Sequence, residues 1–473
     1  MMHEVREVAR AAAEVAADHL TGVAAGPVRQ PVSEEDRAWL TRQPLPAEGR
    51  PLAVLLDEVR DRILPYPMGN GHPRFFGWVN SPPSPAGVMV APVAAAMNPS
   101  CAGGDHSGAL LERTAVRWLA ELVGFPHSPG AGLLTGGASM ATVVALATAR
   151  HQAFRDQGHD VRETGLYGHR PMALYVSAEA HGCLRKAAEL LGLGTRYLRI
   201  VPVDSAFRMD TGELRRLIAA DQRAGVRPFF VAASAGTVNT GAVDPLDGIA
   251  AIAREHGLWF HIDGAYGALG VLADDAAPGY AGLERADSLA LDPHKWLGVP
   301  VDAGCILFRE PTGPRDAFSL VPPYLRDEEA GELGWFSEYG PEQTRPFRAL
   351  RVWATVAHLG REGIVHLVQH TTRLARTLAE LIEASDDFEL LAPAVTSITA
   401  FRHCPPYLDA DRVETLNEGI PAAVLRRGRA FVTGTRIADA AALRACVLHP
   451  GTTKGDLSVL LEEIRAAARE VTT

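Results

Sequence analysis

The sequence predicts an α/β fold with a mostly parallel sheet covered by helices, and three observations support this prediction. From Leu111 onward, helical segments alternate with short apolar strands, which is the pattern of repeated βαβ units. A glycine stop, Gly257, ends one amphipathic helix just before the apolar strand Leu258 to Ile262. Polar side chains follow several of these strands, at the sheet edge where open α/β sheets bind ligands.

The composition describes a large globular protein without the charge pattern of a nucleic-acid-binding or membrane-binding surface. The chain has 473 residues, of which 47% are hydrophobic, so it can bury the cores of two or three domains. The net charge is −10, and lysines and arginines do not cluster. These features argue against nucleic acid or an anionic membrane as a partner and favour a small molecule.

Three segments of different character predict the domain organisation. Residues 1–77 combine an amphipathic first helix with many prolines, which indicates a helical arm draped over another surface, such as that of a partner subunit in a dimer. Residues 78–350 hold the alternating pattern and form the predicted large domain. Residues 351–473 form a smaller α/β domain, in which predicted strands near Thr396 to Phe401 and Ala430 to Thr435 bracket a helix. The apolar stripe of the first helix consists of Val5, Val8, Ala12, Val15, Ala16 and Leu20.

The sequence gives no sign of a membrane span, a secretory signal or a disulfide framework. The longest apolar run, Ala86 to Met97, contains Pro92 and is shorter than the roughly 20 residues that a membrane span needs. The N-terminus lacks the basic and apolar blocks of a secretory signal. The cysteines are odd in number and form no Cys-x-x-Cys pair, which fits reduced thiols and no zinc site. We therefore expect a cytoplasmic protein; the cysteines are Cys101, Cys183, Cys305, Cys404 and Cys446.

The most informative residue is Lys295, which follows Asp263 by 32 positions. Lys295 has apolar neighbours, so its amine is expected to lose water and gain nucleophilic character. Asp263 ends an apolar run that is typical of a buried strand. Pyridoxal phosphate needs an amine for its aldehyde and a carboxylate that keeps its pyridine nitrogen protonated. Taken singly, each residue has an ordinary alternative, a surface charge for the lysine and a turn cap for the aspartate.

Two further segments fit the same cofactor. The segment Leu134 to Ser139 places Gly136 and Gly137 ahead of an apolar helix, where free amides and the helix dipole favour a phosphate. His181 follows the strand Met172 to Val176 and offers a flat imidazole that can stack on a pyridine ring. An ordinary capped turn and a structural histidine are the alternatives. The glycine turn, His181, Asp263 and Lys295 all follow strands of one series of βα units, and this joint occurrence favours a pyridoxal phosphate site.

The segment Pro322 to Phe347 interrupts the regular pattern. It loses helical periodicity and gathers acidic residues and glycines. We predict a long loop that acts as a lid over a site, with a solvated linker as the alternative.

With these motifs, the chain resembles the group II pyridoxal-phosphate amino acid decarboxylases, the family of aromatic-L-amino-acid, histidine and glutamate decarboxylases. The resemblance is nearly full length, and Pro293 to Trp296 together with Asp263 to Ala265 is its most specific part. It implies a fold-type I architecture: an aspartate-aminotransferase-like large domain with a mostly parallel seven-stranded sheet, a small C-terminal α/β domain and an N-terminal helical arm. It also implies a homodimer with the active site at the interface. The other matching segments are His72-Pro73-Arg74-Phe75-Phe76, Gly137-Ala138-Ser139, His181 and Phe347-Arg348-Ala349-Leu350.

The resemblance implies catalytic roles for four residues. Lys295 would hold the cofactor, Asp263 would pair with its pyridine nitrogen, and His181 would stack on its ring. Tyr324 would return a proton to the substrate carbon after carbon dioxide leaves, which favours simple decarboxylation. The implied cofactor-binding set is Ala138, Ser139, His181, Asp263, Ala265, Ser288, His294 and Lys295.

Two positions depart from the aromatic members of the family. Asp292 stands where they commonly have asparagine, and since a carboxylate is awkward beside a phosphate, we expect a structural hydrogen-bonding role for it. Val238 replaces a threonine, which leaves the substrate contacts open. The resemblance places Trp78 and Val79 in the segment that lines the substrate pocket, where Trp78 keeps an aromatic wall.

The sequence thus predicts a pyridoxal-phosphate-dependent L-amino acid decarboxylase, with an aromatic L-amino acid as the first choice of substrate. The nearest alternative is decarboxylation coupled to oxidative deamination, which yields an aldehyde. An aminotransferase or carbon-sulfur lyase of the same fold is a second alternative. A scaffold without activity is a third, although Lys295, Asp263 and His181 are all intact.

Overall fold

The computed structural model describes residues 2–320 and 333–471, which form two compact units. The larger unit comprises Val79–Ala379 and Ala392–Ala400, and the smaller unit comprises Met1–Trp78, Glu380–Leu391 and Phe401–Thr473. The first division falls after Trp78, next to the predicted boundary, whereas residues 351–379 group with the larger unit. The three-domain division of the sequence stays a prediction, because a grouping into two units does not test it.

The described residues form eleven strands and fourteen α-helices. The strands are β1 Gly132–Thr135, β2 Met172–Ser177, β3 Leu198–Val201, β4 Arg227–Ser234, β5 Trp259–Asp263, β6 Ser288–Leu291, β7 Gly304–Phe308, β8 Phe388–Leu390, β9 Ile398–His403, β10 Thr433–Ile437 and β11 Ala440–Cys446. The helices are α1 Met2–Gly22, α2 Glu34–Arg42, α3 Leu52–Glu58, α4 Pro85–Met97, α5 Ser107–Val123, α6 Ala138–Arg155, α7 Val161–Thr164, α8 Cys183–Leu190, α9 Thr211–Arg223, α10 Leu246–His256, α11 Thr312–Phe318, α12 Arg348–Glu383, α13 Ala410–Arg427 and α14 Lys454–Val471.

The larger unit contains a seven-stranded sheet in the order β1-β7-β6-β5-β4-β2-β3. The neighbours from β6 through β5, β4 and β2 to β3 are parallel, and β7 is antiparallel to both β6 and β1. This order confirms the predicted mostly parallel seven-stranded sheet. The central strands are buried along nearly their whole length, which explains why the sequence shows them as continuous apolar runs.

Helix α6 packs directly on the middle of this sheet. Its small residues Ala141 and Ala145 are fully buried in one apolar cluster with Ala290 of β6 and Ile306 of β7. This packing holds α6 against β6, the strand that leads to Lys295.

The smaller unit contains α1 to α3, α13, α14 and most of a second sheet in the order β10-β11-β9-β8. The pairs β8/β9 and β10/β11 are antiparallel. The strand predicted from Ala430 begins later, at Thr433. The reason is that the amide of Phe431 donates to the carbonyl of Arg74, and the carbonyl of Phe431 accepts from Phe76. The segment before β10 therefore pairs with the N-terminal arm instead of the sheet.

The N-terminal arm contains more helix than the sequence predicts. Beyond α1, the helices α2 and α3 form between the prolines. The hydroxyl of Ser33 caps α2 by accepting from the amide of Asp36 at 3.0 Å. Helix α3 leaves Leu52, Val54 and Leu55 at least 40% exposed, so the arm keeps an apolar surface.

The longest apolar run of the sequence forms α4, which includes Pro92. Met89, Val93 and Met97 lie on one face of α4 and are 71%, 52% and 49% exposed. Within residues 2–320 and 333–471, neither α4 nor another helix has the length and apolar character needed to cross a bilayer.

A buried ion pair joins three segments of the larger unit. The guanidinium of Arg345 donates to both carboxylate oxygens of Glu112, at 2.5 and 3.0 Å, and both side chains are 1% exposed. Both side chains also contact Leu134 of β1: Glu112 accepts from its amide, and Arg345 donates to its carbonyl. The ion pair therefore fixes β1 just before the turn that contains Gly136.

Replacing Glu112 by glutamine is expected to destabilise the protein by about 3 kcal/mol, because the buried charge of Arg345 loses its nearest counterion. Urea unfolding of the two proteins measures this difference. Glu121→Gln is the control on the same helix, since Glu121 forms an exposed pair with Arg117 whose loss costs at most about 0.5 kcal/mol. Equal effects of the two substitutions would contradict the role given to the buried pair.

Candidate active site

Four strand ends bring several of the predicted site residues to one edge of the larger unit's sheet. β5 ends at Asp263, and Asp292 directly follows the end of β6. His181 lies in the connection that follows β2. β1 runs in the same direction as β6, since each is antiparallel to β7, and its end leads into the Gly136-Gly137 turn. The carboxyl ends of these strands therefore carry the turn, the histidine and both carboxylates.

Asp292 connects two parts of this edge. Its side chain is 4% exposed, and its Oδ1 accepts from the amide of Ala138, the first residue of α6, at 2.7 Å. Its Oδ2 lies 3.0 Å from Nζ of Lys295 and 3.7 Å from Nε2 of His294. One carboxylate thus joins the N-terminus of α6 to the lysine. This contact is a hydrogen-bonding role of the kind that the sequence position of Asp292 indicated.

The turn before α6 brings the backbone of two segments close together. Gly137 has a φ of +142°, which favours glycine, and it is the N-cap of α6 without any side-chain cap. A Cβ added to Gly304 of β7 would lie 2.4 Å from the Cα of Gly137. No side chain of this turn caps the first amides of α6, and one of these amides contacts Asp292. Uncapped amides at a helix N-terminus suit an anion. Ser139, in the first turn of α6, is exposed.

The loop that carries Lys295 is fixed by its neighbours. Trp296 is buried and stacks on Tyr266 with the ring centroids 5.0 Å apart, and its Nε1 donates to Thr371 at 3.0 Å. The hydroxyl of Ser81 donates to the backbone carbonyl of Lys295. The side chain of Lys295 itself remains 25% exposed. The backbone is therefore held in place while the amine stays accessible to a small molecule.

Arg348 holds the far end of the same loop. It is 5% exposed and donates to Asp302 at 3.0 and 3.1 Å and to Glu342 at 3.0 Å. A Cβ added to Gly136 would lie 3.2 Å from Oδ2 of Asp302. Arg348, which belongs to one of the family motifs, thus ties the start of α12 to the loop beside the glycine turn.

Neighbours contact both carboxylate oxygens of Asp263. Oδ1 accepts from the amide of Ala265 at 3.2 Å, and Oδ2 lies 3.9 Å from Sγ of Cys183, a weak donor. Burial, and then the charge of Asp263, raise the pKa of Cys183 to about 12, so this thiol keeps its proton. Cys183 also lies 3.7 Å from the hydroxyl of Thr142 in α6, and its amide donates to Nδ1 of His181. Sequence reasoning treated Cys183 only as a reduced thiol and missed this contact, which no local motif marks.

The structure does not favour Ser288 as a phosphate ligand. Ser288 starts β6, whereas Asp292 follows its end, and it is fully buried. Its hydroxyl lies 2.9 Å from Nε1 of Trp259 and 2.9 Å from Nδ1 of His261. Burial lowers the pKa of His261 to about 4, so this imidazole is neutral. Since core partners occupy its hydroxyl, we leave Ser288 out of the proposed cofactor site.

The remaining candidate residues are those implied for substrate contacts and for proton return. Trp78 belongs to the smaller unit and packs on the ring of Phe431 at a centroid distance of 5.1 Å. Val79 begins the larger unit and is half-buried, and Val238 is 39% exposed in the connection after β4. Their role toward a substrate stays a prediction. Tyr324 lies outside the residues that the structure describes.

The residues at this edge fit pyridoxal phosphate. The N-terminus of α6, with Gly137 allowing close approach, suits the phosphate. The accessible amine of Lys295 suits the aldehyde, and the carboxylate of Asp263 suits a protonated pyridine nitrogen. Half-buried Ala265 contacts Asp263 directly, and exposed His181 is connected to it through Cys183.

A comparison with models of protein families matches residues 35–404 to the family described as "Pyridoxal-dependent decarboxylase conserved domain". The matched range covers most of the chain and includes the glycine turn, His181, Asp263 and Lys295.

Individual proteins are similar over nearly their whole length. The chain is 30% identical over 474 residues to an aromatic-L-amino-acid decarboxylase from Bacillus atrophaeus, covering 99% of this chain and 96% of that protein. It is 26% identical over 461 residues to a phenylacetaldehyde synthase from Arabidopsis thaliana, covering 95% and 92%. Among solved structures, mouse CSAD in its apo form has a TM-score of 0.90 at 26% identity, covering 98% and 99% of the two chains.

Proposed function

The chain belongs to the pyridoxal-dependent decarboxylase family, and we propose that it is an L-amino acid decarboxylase that releases carbon dioxide and an amine. One structural observation supports this proposal above all. The amine of Lys295, the carboxylate of Asp263 and the glycine turn before α6 lie at the same edge of one sheet. These are the three groups that pyridoxal phosphate needs for its aldehyde, its pyridine nitrogen and its phosphate.

Each residue has a defined task in this proposal. When bound, the cofactor supplies an electron sink for the bond that breaks as carbon dioxide leaves. Nζ of Lys295 is the covalent attachment point, and Asp263 holds a proton at the pyridine nitrogen. Cys183 and the amide of Ala265 keep the Asp263 carboxylate in one orientation.

The remaining cofactor contacts are proposed from the family motifs and from position. His181 covers one face of the ring and Ala265 the other. Ala138, Ser139 and His294 hold the phosphate, which is supported by the position of Ala138 and Ser139 in the first turn of α6 and of His294 next to Asp292.

We propose an aromatic L-amino acid as the substrate. The support is the relative from Bacillus atrophaeus, which is named an aromatic-L-amino-acid decarboxylase. The second candidate is decarboxylation with oxidative deamination, which is favoured by the similarity to a protein named phenylacetaldehyde synthase. Tyr324 stands where the family resemblance places the proton donor of simple decarboxylation, and for this reason we prefer the first candidate.

We further propose a homodimer with the active site at its interface and a cytoplasmic location. The dimer is supported by the exposed stripe of Met89, Val93 and Met97 on α4, because an apolar surface of this kind marks an association site. The location is supported by the cysteines, which are all free.

Lys295→Ala is expected to abolish covalent capture of the cofactor. The chain has three lysines, so borohydride reduction of the protein with pyridoxal phosphate, followed by peptide mass mapping, can assign the attachment site. We expect the label on Lys295 only, together with loss of carbon dioxide release in the variant. The control is Lys186→Ala, which changes an exposed lysine on α8. This variant should keep the label on Lys295 and the release of carbon dioxide. Labelling at Lys186 or Lys454 in the unmodified protein would contradict the assignment.

A screen of the twenty amino acids for carbon dioxide release is expected to give the highest rate with phenylalanine, tyrosine or tryptophan. The amine should then form in a one-to-one ratio to carbon dioxide, without oxygen uptake. Oxygen consumption with aldehyde formation would favour the second candidate. Turnover that retains the carboxylate would point to an aminotransferase or a lyase.

Light scattering of the purified protein is expected to give the mass of two chains. Met89→Glu combined with Val93→Glu places charges in the stripe of α4 and should shift the protein toward the monomer with loss of activity. Arg117→Glu, an exposed charge change on α5, is the control and should leave the mass unchanged. A fully active monomer would argue against the proposed interface.

A further inference from the structure

We propose that Asp292 is an internal anion that occupies the phosphate cradle of this protein and thereby weakens the binding of the cofactor's phosphate. The cradle is the N-terminus of α6 with its glycine turn, and the inference rests on the proposed pyridoxal-phosphate function. Asp292 thus affects how readily the cofactor binds. Before the cofactor arrives, its carboxylate already accepts a hydrogen bond from one backbone amide of the cradle.

The first support is the place that the carboxylate takes on the helix. Oδ1 of Asp292 accepts from the amide of Ala138 at 2.7 Å, and the side chain is 4% exposed. A Cβ added to Gly137 would lie 3.9 Å from the same oxygen. Since α6 has no side-chain cap from its own turn, Asp292 acts as its cap from the loop after β6. A helix N-terminus attracts anions, and here a protein carboxylate has taken one of its amides.

The second support is the other oxygen of the same carboxylate. Oδ2 lies 3.0 Å from Nζ of Lys295, so Asp292 also pairs with the amine proposed for the cofactor's aldehyde. His294 lies 3.7 Å away through Nε2, while its Nδ1 contacts the backbone of Ala303. The charge of Arg348, on the other side of the glycine turn, is shared by Asp302 and Glu342. Asp292 therefore engages both the amide that suits the phosphate and the amine that suits the aldehyde.

A phosphate that enters this cradle meets a buried carboxylate of the same charge sign. Either Asp292 gives up the amide of Ala138, or both anions share the end of α6 at close range. Each outcome costs binding free energy, because like charges in a poorly solvated site repel strongly. An asparagine at this position keeps an oxygen acceptor for the Ala138 amide but removes the negative charge and the ion pair with Lys295. The Asp292→Asn substitution therefore isolates the charge.

The test measures inorganic phosphate binding to the cofactor-free protein by calorimetry. We expect Asp292→Asn to bind phosphate about ten-fold more tightly than the unmodified protein, since the like charge is gone. Without phosphate, the same variant should unfold at a lower temperature than the unmodified protein, because the ion pair with Lys295 is lost. Added phosphate should raise the unfolding temperature of the variant by more than that of the unmodified protein.

Asp287→Asn is the matched control. Asp287 precedes the other end of β6, where its Oδ2 accepts from the amide of Phe260 at 2.7 Å. The chemical change is the same and flanks the same strand, but it lies at the end away from the cradle, so phosphate affinity should be unchanged. Asp292→Ser provides a second neutral variant if Asp292→Asn does not fold. Phosphate binding that is equal or weaker in the neutral Asp292 variants would overturn the inference.

The inference and the proposed function can fail separately. If pyridoxal phosphate labels Lys295 but phosphate affinity does not rise in the Asp292 variants, the function stands and the inference falls. If phosphate affinity rises as expected but pyridoxal phosphate forms no bond with Lys295, the charge effect stands and the proposed function falls.

Discussion

The parallel pairing of β5 with β6 is the constraint on which the candidate site depends. Asp263, at the end of β5, lies opposite Ala290 of β6, and just beyond the strands the amide of Asp292 donates to the carbonyl of Ala265. Side chains alternate between the two faces of a strand, so a slip of one residue would move Asp292 to the other face. Asp292 would then lose its contacts with α6 and Lys295. The register of two buried strands thus places Asp263, the carboxylate that the proposed chemistry requires, beside the segment that contains Asp292 and Lys295.

Helix α6 contacts residues at both ends of the candidate site. Its first amide binds Asp292, which contacts Lys295, and one turn later the helix contacts Cys183, which approaches the carboxylate of Asp263. The groups proposed for the phosphate, the aldehyde and the pyridine nitrogen are therefore connected through one helix. A substitution that shifts α6 on the sheet is expected to disturb all three together. The small side chains that pack α6 against β6 and β7 contribute to function in this way.

Much of the fold could be predicted because buried parallel strands appear in the sequence as continuous apolar runs. The runs at Met172 and Leu258 became β2 and β5 with little change in their bounds. Prediction failed where long-range backbone bonds compete with local pattern, as at Phe431, whose amide and carbonyl pair with the arm and delay β10. The helices α2 and α3 were missed because frequent prolines hid the short helical stretches between them.

The sequence by itself determined the chemistry of the protein. Pyridoxal phosphate needs an amine, a carboxylate and a phosphate-binding turn, and Lys295, Asp263 and the turn before α6 can be recognised from short local motifs. The tertiary structure alone decided which other groups support them. Ala138 and Asp292 are 154 residues apart in the chain, and Ser288, although close to Asp292 in sequence, is turned into core contacts with Trp259. Such contacts depend on strand register and helix packing, which local sequence patterns do not encode.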